Sequence, residues 1–402
     1  TLDCSNKPSC SAALSYNGLT VSLQDTAVLS DPDDANLAKA FVEITGGCLS
    51  TDSFSTATAV AGILMDNGTP CVATFTGSAS VADYQTMLRG VQLTLATGTS
   101  FERIVKITVN DGVDNSTSMS RYYYALDNLP IPTIVSTTAP ETSGGTITIT
   151  GTNFGPASPN LVTKVQLGMS ECTSITVTEA YTKLTCTAPA GTGQDIAVVV
   201  TVGDKKSTPY ASFKYQNPTV SSITSVPTAG GAVTITGTNF GPAGSAALSA
   251  SAGGSIVVAG KACTSGTVSV AHTKITCTQL EGTGGGKDVT VTVSTLSSGT
   301  TGNGKFSYEL PTISTKSLGS FLGYTTTFTG SNFGLLDTAL TVTITPSAGG
   351  ASFACSSAKT TKAHTEFQCT MPAASLTSGA NTNDLTKLYD VKVVCDLSLI
   401  HI

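Results

Sequence analysis

The chain has no tryptophan, and aromatic residues make up only 6% of its 402 residues. So few rings leave little from which to build a sugar-stacking platform. Charged residues are scarce at 11%, and Lys and Arg nowhere cluster. Without such clusters nothing attracts a polyphosphate, and nucleic acid is excluded as a partner. Mean hydropathy is +0.18, yet no run approaches the roughly 20 apolar residues that a membrane span needs. No Ser/His/Asp order, HExxH or GxSxG occurs, so no residue is assigned a catalytic role and the chain is not read as an enzyme. Close Cys or His pairs of the kind that hold zinc are also missing. The chain opens on "TLDCSNKPSC" with neither Met nor signal peptide, and reads as a processed piece of a longer secreted product.

What is present is Thr, Ser, Val, Ala and 40 Gly, a composition suited to short β-strands joined by tight turns. Net charge is −6 and uneven: 13 acidic and 6 basic residues fall before position 131, against 13 and 14 after it. One phrase recurs: "TITITGTNFGP" at 146–156, "TITGTNFGP" at 234–242 and a worn "TFTGSNFG" at 327–334. Its phenylalanines, Phe154, Phe240 and Phe333, lie 86 and then 93 residues apart, so the chain reads first as a repeat array.

Cysteines keep the same beat. Cys172/Cys186, Cys263/Cys277 and Cys355/Cys369 each enclose 13 residues, and the shared spacing is read as one disulfide per repeat. Such bridges place the protein outside the reducing cytosol. Closing a loop of that size stabilises a repeat by about 3 kcal/mol.

Each repeat has further anchors. A Pro and a Gly-Gly (Pro140 with Gly144 and Gly145; Pro227 with Gly230 and Gly231) precede a strand with Ile and Val on one face and Thr on the other. In the GTNFG turn, Gly and Asn tolerate positive φ, and the Phe is expected to plug the core. "YTKLTCTAP", "HTKITCTQL" and "HTEFQCTMP" carry the second Cys, and "FKYQNP" and "FSYELP" close the unit. His272 and His364 share one position with Tyr181, which a catalytic histidine would not do, so they are read as structural. The "GTGGG" at 282–286 is read as a hairpin loop.

This combination resembles the IPT/TIG family of immunoglobulin-like β-sandwiches, found in receptor ectodomains and microbial surface proteins. The resemblance covers 131–402. The third copy departs from it, with Gly319 and Tyr324 where Pro and Gly-Gly are expected. The stretches 29–47, 74–94 and 103–118 resemble a cadherin-like repeat, which implies another β-sandwich. Within it "SVADYQTML" is expected to form one helical turn that buries Tyr84 and Leu88. Cys48 and Cys71 are expected to bridge there, with Cys4 and Cys10 closing a small loop.

Asp31, Asp33 and Asp34, with Asp111 and Asp114, form two acidic clusters of hard oxygen ligands suited to Ca²⁺, and Asp127 lies at the following junction. Calcium through Asp31, Asp33, Asp111 and Asp127 is one reading; a pair of solvated acidic turns is the other. Asn67 and Asn115 begin the N-x-S/T sequons and are candidate glycan sites.

The expected architecture is therefore all-β: a tandem array of four immunoglobulin-like β-sandwiches forming a stiff rod. Its parts are a cadherin-like domain at 1–130 and IPT/TIG repeats at 131–216, 217–309 and 310–402. Only two residues separate each closing Tyr from the next Pro (Tyr215 to Pro218, Tyr308 to Pro311), too few for a flexible tether. The function expected is a component of an extracellular filament, appendage or surface coat, with self-association or other surface proteins as partners. The alternative is a receptor or adhesin ectodomain, and a noncatalytic module of a carbohydrate-active enzyme comes third. The last repeat is expected to lack its closing strand, which would fall near position 410, and Cys395 is the eleventh cysteine left over from five pairs.

Overall fold

The computed structural model describes residues 14–15, 20–22, 29–30, 35–94, 102–116, 118–124, 129–158, 160–300, 302, 304–317, 325–346, 351–371, 389–395 and 398–401. Strands dominate, and they divide into two compact units. The first comprises residues 1–138, 146–187 and 197–211; the second comprises 139–145, 188–196 and 212–402.

In the first unit, the stretch before residue 125 forms a six-stranded and a three-stranded sheet. The larger runs in the order Leu14–Ser15, Met119–Tyr124, Glu102–Asn110, Asn36–Gly46, Val72–Ser80, Leu64–Asp66. The smaller is Thr20–Ser22, Val91–Thr94, Ser53–Thr56. Apolar residues alternate inward along these strands, so Ala40, Val42, Phe75, Val105 and Leu93 share one core. The expected helical turn is a nine-residue helix, Val81–Arg89. Ser80 caps it by accepting the Asp83 amide at 3.1 Å, and Tyr84, Met87 and Leu88 line its buried face.

Cys48 and Cys71 are bridged, with Cα atoms 6.1 Å apart. Nearby lies a buried ion pair: Arg103 falls in phase with the inward-facing Val105 and Ile107, and its partner lies 51 residues away. Arg103 Nε donates to Asp52 Oδ2 at 2.6 Å, and the two side chains are 2% and 0% exposed. The second oxygen of Asp52 accepts from Arg103 Nη2 at 3.4 Å, and the Leu49 amide donates to Oδ2 at 2.9 Å.

The repeat over 131–216 contributes two sheets to this unit. One is Thr133–Thr137, Gly145–Thr152, Lys183–Ala188, Thr173–Glu179; the other is Ser170–Glu171, Val162–Leu167, Ile196–Val202, Lys205–Lys206, with Tyr210–Phe213 also paired to Ile196–Val202. Ile147 and Ile149 are fully buried, while on the other face Thr146 is exposed and Thr148 and Thr150 are half-buried, as alternation demands.

In the second unit, residues 217–309 repeat this order. Thr219–Ile223, Gly231–Thr238, Lys274–Gln279 and Thr264–Val270 form one sheet; Lys261–Ala262, Ser255–Val258, Val289–Val293 and Leu296–Ser297 form the other. Val233, Ile235 and Ile275 of the first face Ile256, Val289 and Val291 of the second in one core, with Phe240 and Phe306 fully buried among them. Residues 282–286 are not a hairpin loop, because the strands on either side of them belong to different sheets. They carry the chain from one sheet to the other.

Residues 312–401 follow the same scheme, with one change. The ten-residue strand Phe353–Lys362 pairs with Glu366–Thr370 at one end and Thr341–Pro346 at the other, which joins both sheets into seven strands. A register shift between Ser356 and Lys359 lets one strand serve both sheets. Tyr389–Cys395 pairs on one side with Thr341–Pro346 and on the other with Ser398–His401. Cys395 is 2% exposed, with Sγ 3.8 Å from the Phe333 carbonyl oxygen.

Candidate functional site: a head-and-tail joint

The GTNFG turn and the Tyr/His turn are laced together in the same way three times. The Gly151 amide donates to Thr182 O, Phe154 to Tyr181 O, and Tyr181 to Gly155 O, at 2.9, 3.1 and 2.6 Å. The second repeat matches with Gly237 to Thr273, Phe240 to His272 and His272 to Gly241; the third does so with Gly330 to Thr365, Phe333 to His364 and His364 to Gly334. The Asn of the turn is left-handed each time, with φ of 62°, 59° and 62° at Asn153, Asn239 and Asn332. Tyr181, His272 and His364 are left-handed too, at 65°, 65° and 64°.

The leading glycine of the motif is fixed by space rather than by φ. A Cβ on Gly237 would fall on the Thr219 carbonyl oxygen and 2.6 Å from the Phe240 ring, and Gly151 and Gly330 meet the same two obstacles. The fully buried phenylalanine therefore locks the turn against the strand beside it. We call this laced pair of turns the head.

At the other end of the repeat is a tail. Tyr308 of F-x-Y donates its hydroxyl to Leu280 O at 2.7 Å, and its amide donates to Gly284 O at 3.0 Å. Tyr215 repeats both bonds, to Pro189 O and Gly193 O. Burial raises the Tyr215 phenol pKa above its ordinary value. The Gly-Gly loop joins in, because the Gly191 amide donates to Thr142 O and the Gly282 amide to Thr228 O, both at 2.9 Å. Thr142 and Thr228 end up 1% and 2% exposed.

Within the second unit, head meets tail by the same contacts twice. The Thr228 amide donates to Asn332 Oδ1 at 3.1 Å, and Thr228 Oγ1 lies 2.9 Å from His364 Nδ1. The Thr142 amide donates to Asn239 Oδ1 at 3.1 Å, and Thr142 Oγ1 lies 2.9 Å from His272 Nδ1. The amide nitrogens of both asparagines hold the entering linker, Asn332 Nδ2 donating to Leu310 O and Asn239 Nδ2 to Asn217 O, each at 3.1 Å. One asparagine thus ties its own linker to the preceding tail.

Packing at the joint is tight. A Cβ on Gly334 would lie 2.6 Å from Thr283 Cγ2, and one on Gly241 2.6 Å from Thr192 Cγ2. His364 Nε2 also sits 3.4 Å from Glu281 Oε2. In the first unit the corresponding head residue makes a different contact: Tyr181 donates its hydroxyl to Glu102 Oε2 at 2.7 Å.

The other candidate residues lie apart from the joint. Cys172–Cys186, Cys263–Cys277 and Cys355–Cys369 are bridged within their repeats, with Cα separations of 5.7, 5.7 and 5.6 Å. Cys4 and Cys10 lie outside the described residues, as do Asp31, Asp33 and Asp127. Asp111 Oδ1 accepts the Val113 and Asp114 amides at 2.7 and 2.8 Å, and these bonds hold its carboxyl below the usual range. Among the described residues no three His, Cys, Asp or Glu side chains group into a metal site. Asn67 and Asn115 are exposed; Asn67 Nδ2 donates to Phe54 O at 3.1 Å, and Asn115 Oδ1 accepts from Asn110 Nδ2 at 3.0 Å.

The sequence marks the head, the Gly-Gly pairs and the closing tyrosine of the tail, but not the threonine that the head meets. Thr142 and Thr228 stand at one offset before their Gly-Gly pairs, a signal that was there to be read.

Among known families, the IPT/TIG domain matches residues 130–215 and 218–308. No curated protein matches the chain. Among solved structures, the chain is similar to the full extracellular region of plexin A4, with 15% identity over 92% of this chain and 34% of that one and a TM-score of 0.21. It is similar to the surface glycan-binding protein PbSGBP-B from Prevotella bryantii, with 18% identity over 42% of this chain and 41% of that one, TM-score 0.26. It is also similar to the ICAM-5 D1–D4 ectodomain fragment, with 12% identity over 90% and 96% of the two chains, TM-score 0.22. The chain thus spans about a third of the plexin A4 region and two fifths of the glycan-binding protein.

Proposed function

We propose, taking residues 130–215 and 218–308 as two tandem IPT/TIG domains, that this chain is a noncatalytic structural segment of an extracellular filament, appendage or surface coat. The observation that carries the proposal is the joint. A flexible display stalk needs only a tether between its domains. Here a buried threonine, an asparagine and a histidine recur at both Thr142 and Thr228, on groups the repeats do not use for their own cores. Buried bonds of this kind contribute about 1 kcal/mol each and fix direction as well as affinity. A chain that invests repeated contacts in holding its modules is built to bear load or to pack.

The disulfides fit an oxidising compartment, and the exposed Asn67 and Asn115 fit a glycosylated surface in a secretory pathway. The cadherin-like character of residues 1–130 belongs to this reading. So does self-association, either between copies or with other surface proteins.

Purification of the native protein without denaturant, followed by negative-stain microscopy, tests the proposal. Fibres or sheets are the expected result. Monodisperse single chains at high concentration would instead favour the receptor or adhesin ectodomain.

A further inference from the structure

One position separates the joints. At the tip of the Tyr/His turn the left-handed backbone projects the side chain out of the head, toward whatever precedes it. Where the neighbour is the tail of a like repeat, that residue is histidine, and its Nδ1 meets a buried threonine hydroxyl at 2.9 Å in both cases. Where the neighbour is the unlike stretch before residue 131, the residue is tyrosine, and its hydroxyl meets the carboxylate of Glu102 at 2.7 Å.

The two side chains differ in where they put their polar atom. Imidazole Nδ1 lies close to the backbone, whereas the phenol oxygen stands at the far end of its ring. A histidine therefore suits a close-packed tail, and this tail is close: the glycines beside it, Gly241 and Gly334, have no room for a Cβ against Thr192 and Thr283. A tyrosine ring in that space would push the threonine loop away. At the first head the reverse holds, because a histidine would stop short of the Glu102 carboxylate.

We propose that the residue at this tip, occupied by Tyr181, His272 and His364, selects the domain that each repeat accepts on its head. Histidine specifies a tail that presents a buried threonine. Tyrosine specifies a neighbour whose carboxylate stands at the reach of a phenol oxygen, as Glu102 does; the Glu281 carboxylate, 3.4 Å from His364 Nε2, stands at the reach of an imidazole. The position thereby encodes the order of modules along the chain, and buried polar groups are well suited to this because a mismatched partner leaves them unpaired. Nothing in this depends on whether the array forms filaments, so the two proposals fail separately.

Amide exchange on the full chain tests it. His272→Tyr is expected to speed exchange of the Thr142 amide at least tenfold and His364→Tyr that of the Thr228 amide, with the Gly231–Thr238 and Lys274–Gln279 strands unchanged. His272→Asn places a polar atom near the position of Nδ1 and is expected to retain most of the protection. Slow exchange preserved in His272→Tyr, or lost equally in His272→Asn, overturns the histidine half. If the tyrosine variant disturbs the strands as well, Thr142→Val decides: faster exchange at residue 142 supports the proposal and no change overturns it. For the tyrosine half, Tyr181→His should lower the thermal midpoint as far as Tyr181→Phe, since neither puts a hydroxyl at Glu102. A histidine variant that keeps the wild-type midpoint overturns it.

Discussion

Replacing Asp52 by alanine is expected to lower the stability of the stretch before residue 125 by about 3–5 kcal/mol, the largest single effect anticipated in the chain. The change strips Arg103, 2% exposed, of a carboxylate held at 2.6 Å, and leaves a guanidinium in a site closed to water. The Leu49 amide loses an acceptor at the same time. Because the pair lies beside the Cys48–Cys71 bridge, the damage should stay local. In calorimetry of the full chain, one transition should move down by roughly 10 °C or more while the others hold. Replacing both partners together by apolar residues of similar volume should cost far less, since it removes the uncompensated charge. An Asp52→Ala chain with unchanged transitions would mean that water reaches Arg103.

Gly237→Ala should cost about 3 kcal/mol in the second repeat. The added methyl lands on the Thr219 carbonyl oxygen and against the Phe240 ring, so either the paired strand or the core plug must move. Both are fixed: Thr219 pairs with Thr238 in the sheet, and Phe240 is fully buried. The same substitution at Gly244 meets nothing within contact distance, although its φ of 68° adds some strain. The thermal midpoint of the second repeat, followed by exchange at Lys274–Gln279, reads the difference. A loss at residue 237 no greater than at residue 244 would show that the turn gives way without cost.

Much of this architecture can be read from the chain because it repeats. Alternation in "TITIT" and "AVTIT" marks the half-buried strands, and equal cysteine spacing marks the loops that the bridges close. Phe154, Phe240 and Phe333 are identifiable as core plugs because they return in an unchanged phrase, and each is fully buried. Positive φ accounts for the asparagine and the trailing glycine of the turn, whereas the leading glycine is required by a neighbouring carbonyl that only the folded sheet brings near. The joint escapes sequence reading for a similar reason. Thr142 and His272 are 130 residues apart, and the offset that Thr142 and Thr228 share before their Gly-Gly pairs marks a repeated position without saying what it meets. Asp52 and Arg103 illustrate the same limit: alternation puts Arg103 on the inward face with Val105 and Ile107, but nothing in the sequence names Asp52 as its partner.

The claim on which the account turns is that Thr142 and Thr228 are held by the asparagine and histidine of a head. Hydrogen exchange of these two amides in the unmodified chain measures that directly. Each amide is bonded to an asparagine side chain at 3.1 Å rather than to a strand, so its protection reports the joint and not the sheet. The account predicts that both exchange at least tenfold more slowly than an open loop of the same sequence. Exchange at the open-loop rate at both positions would contradict it.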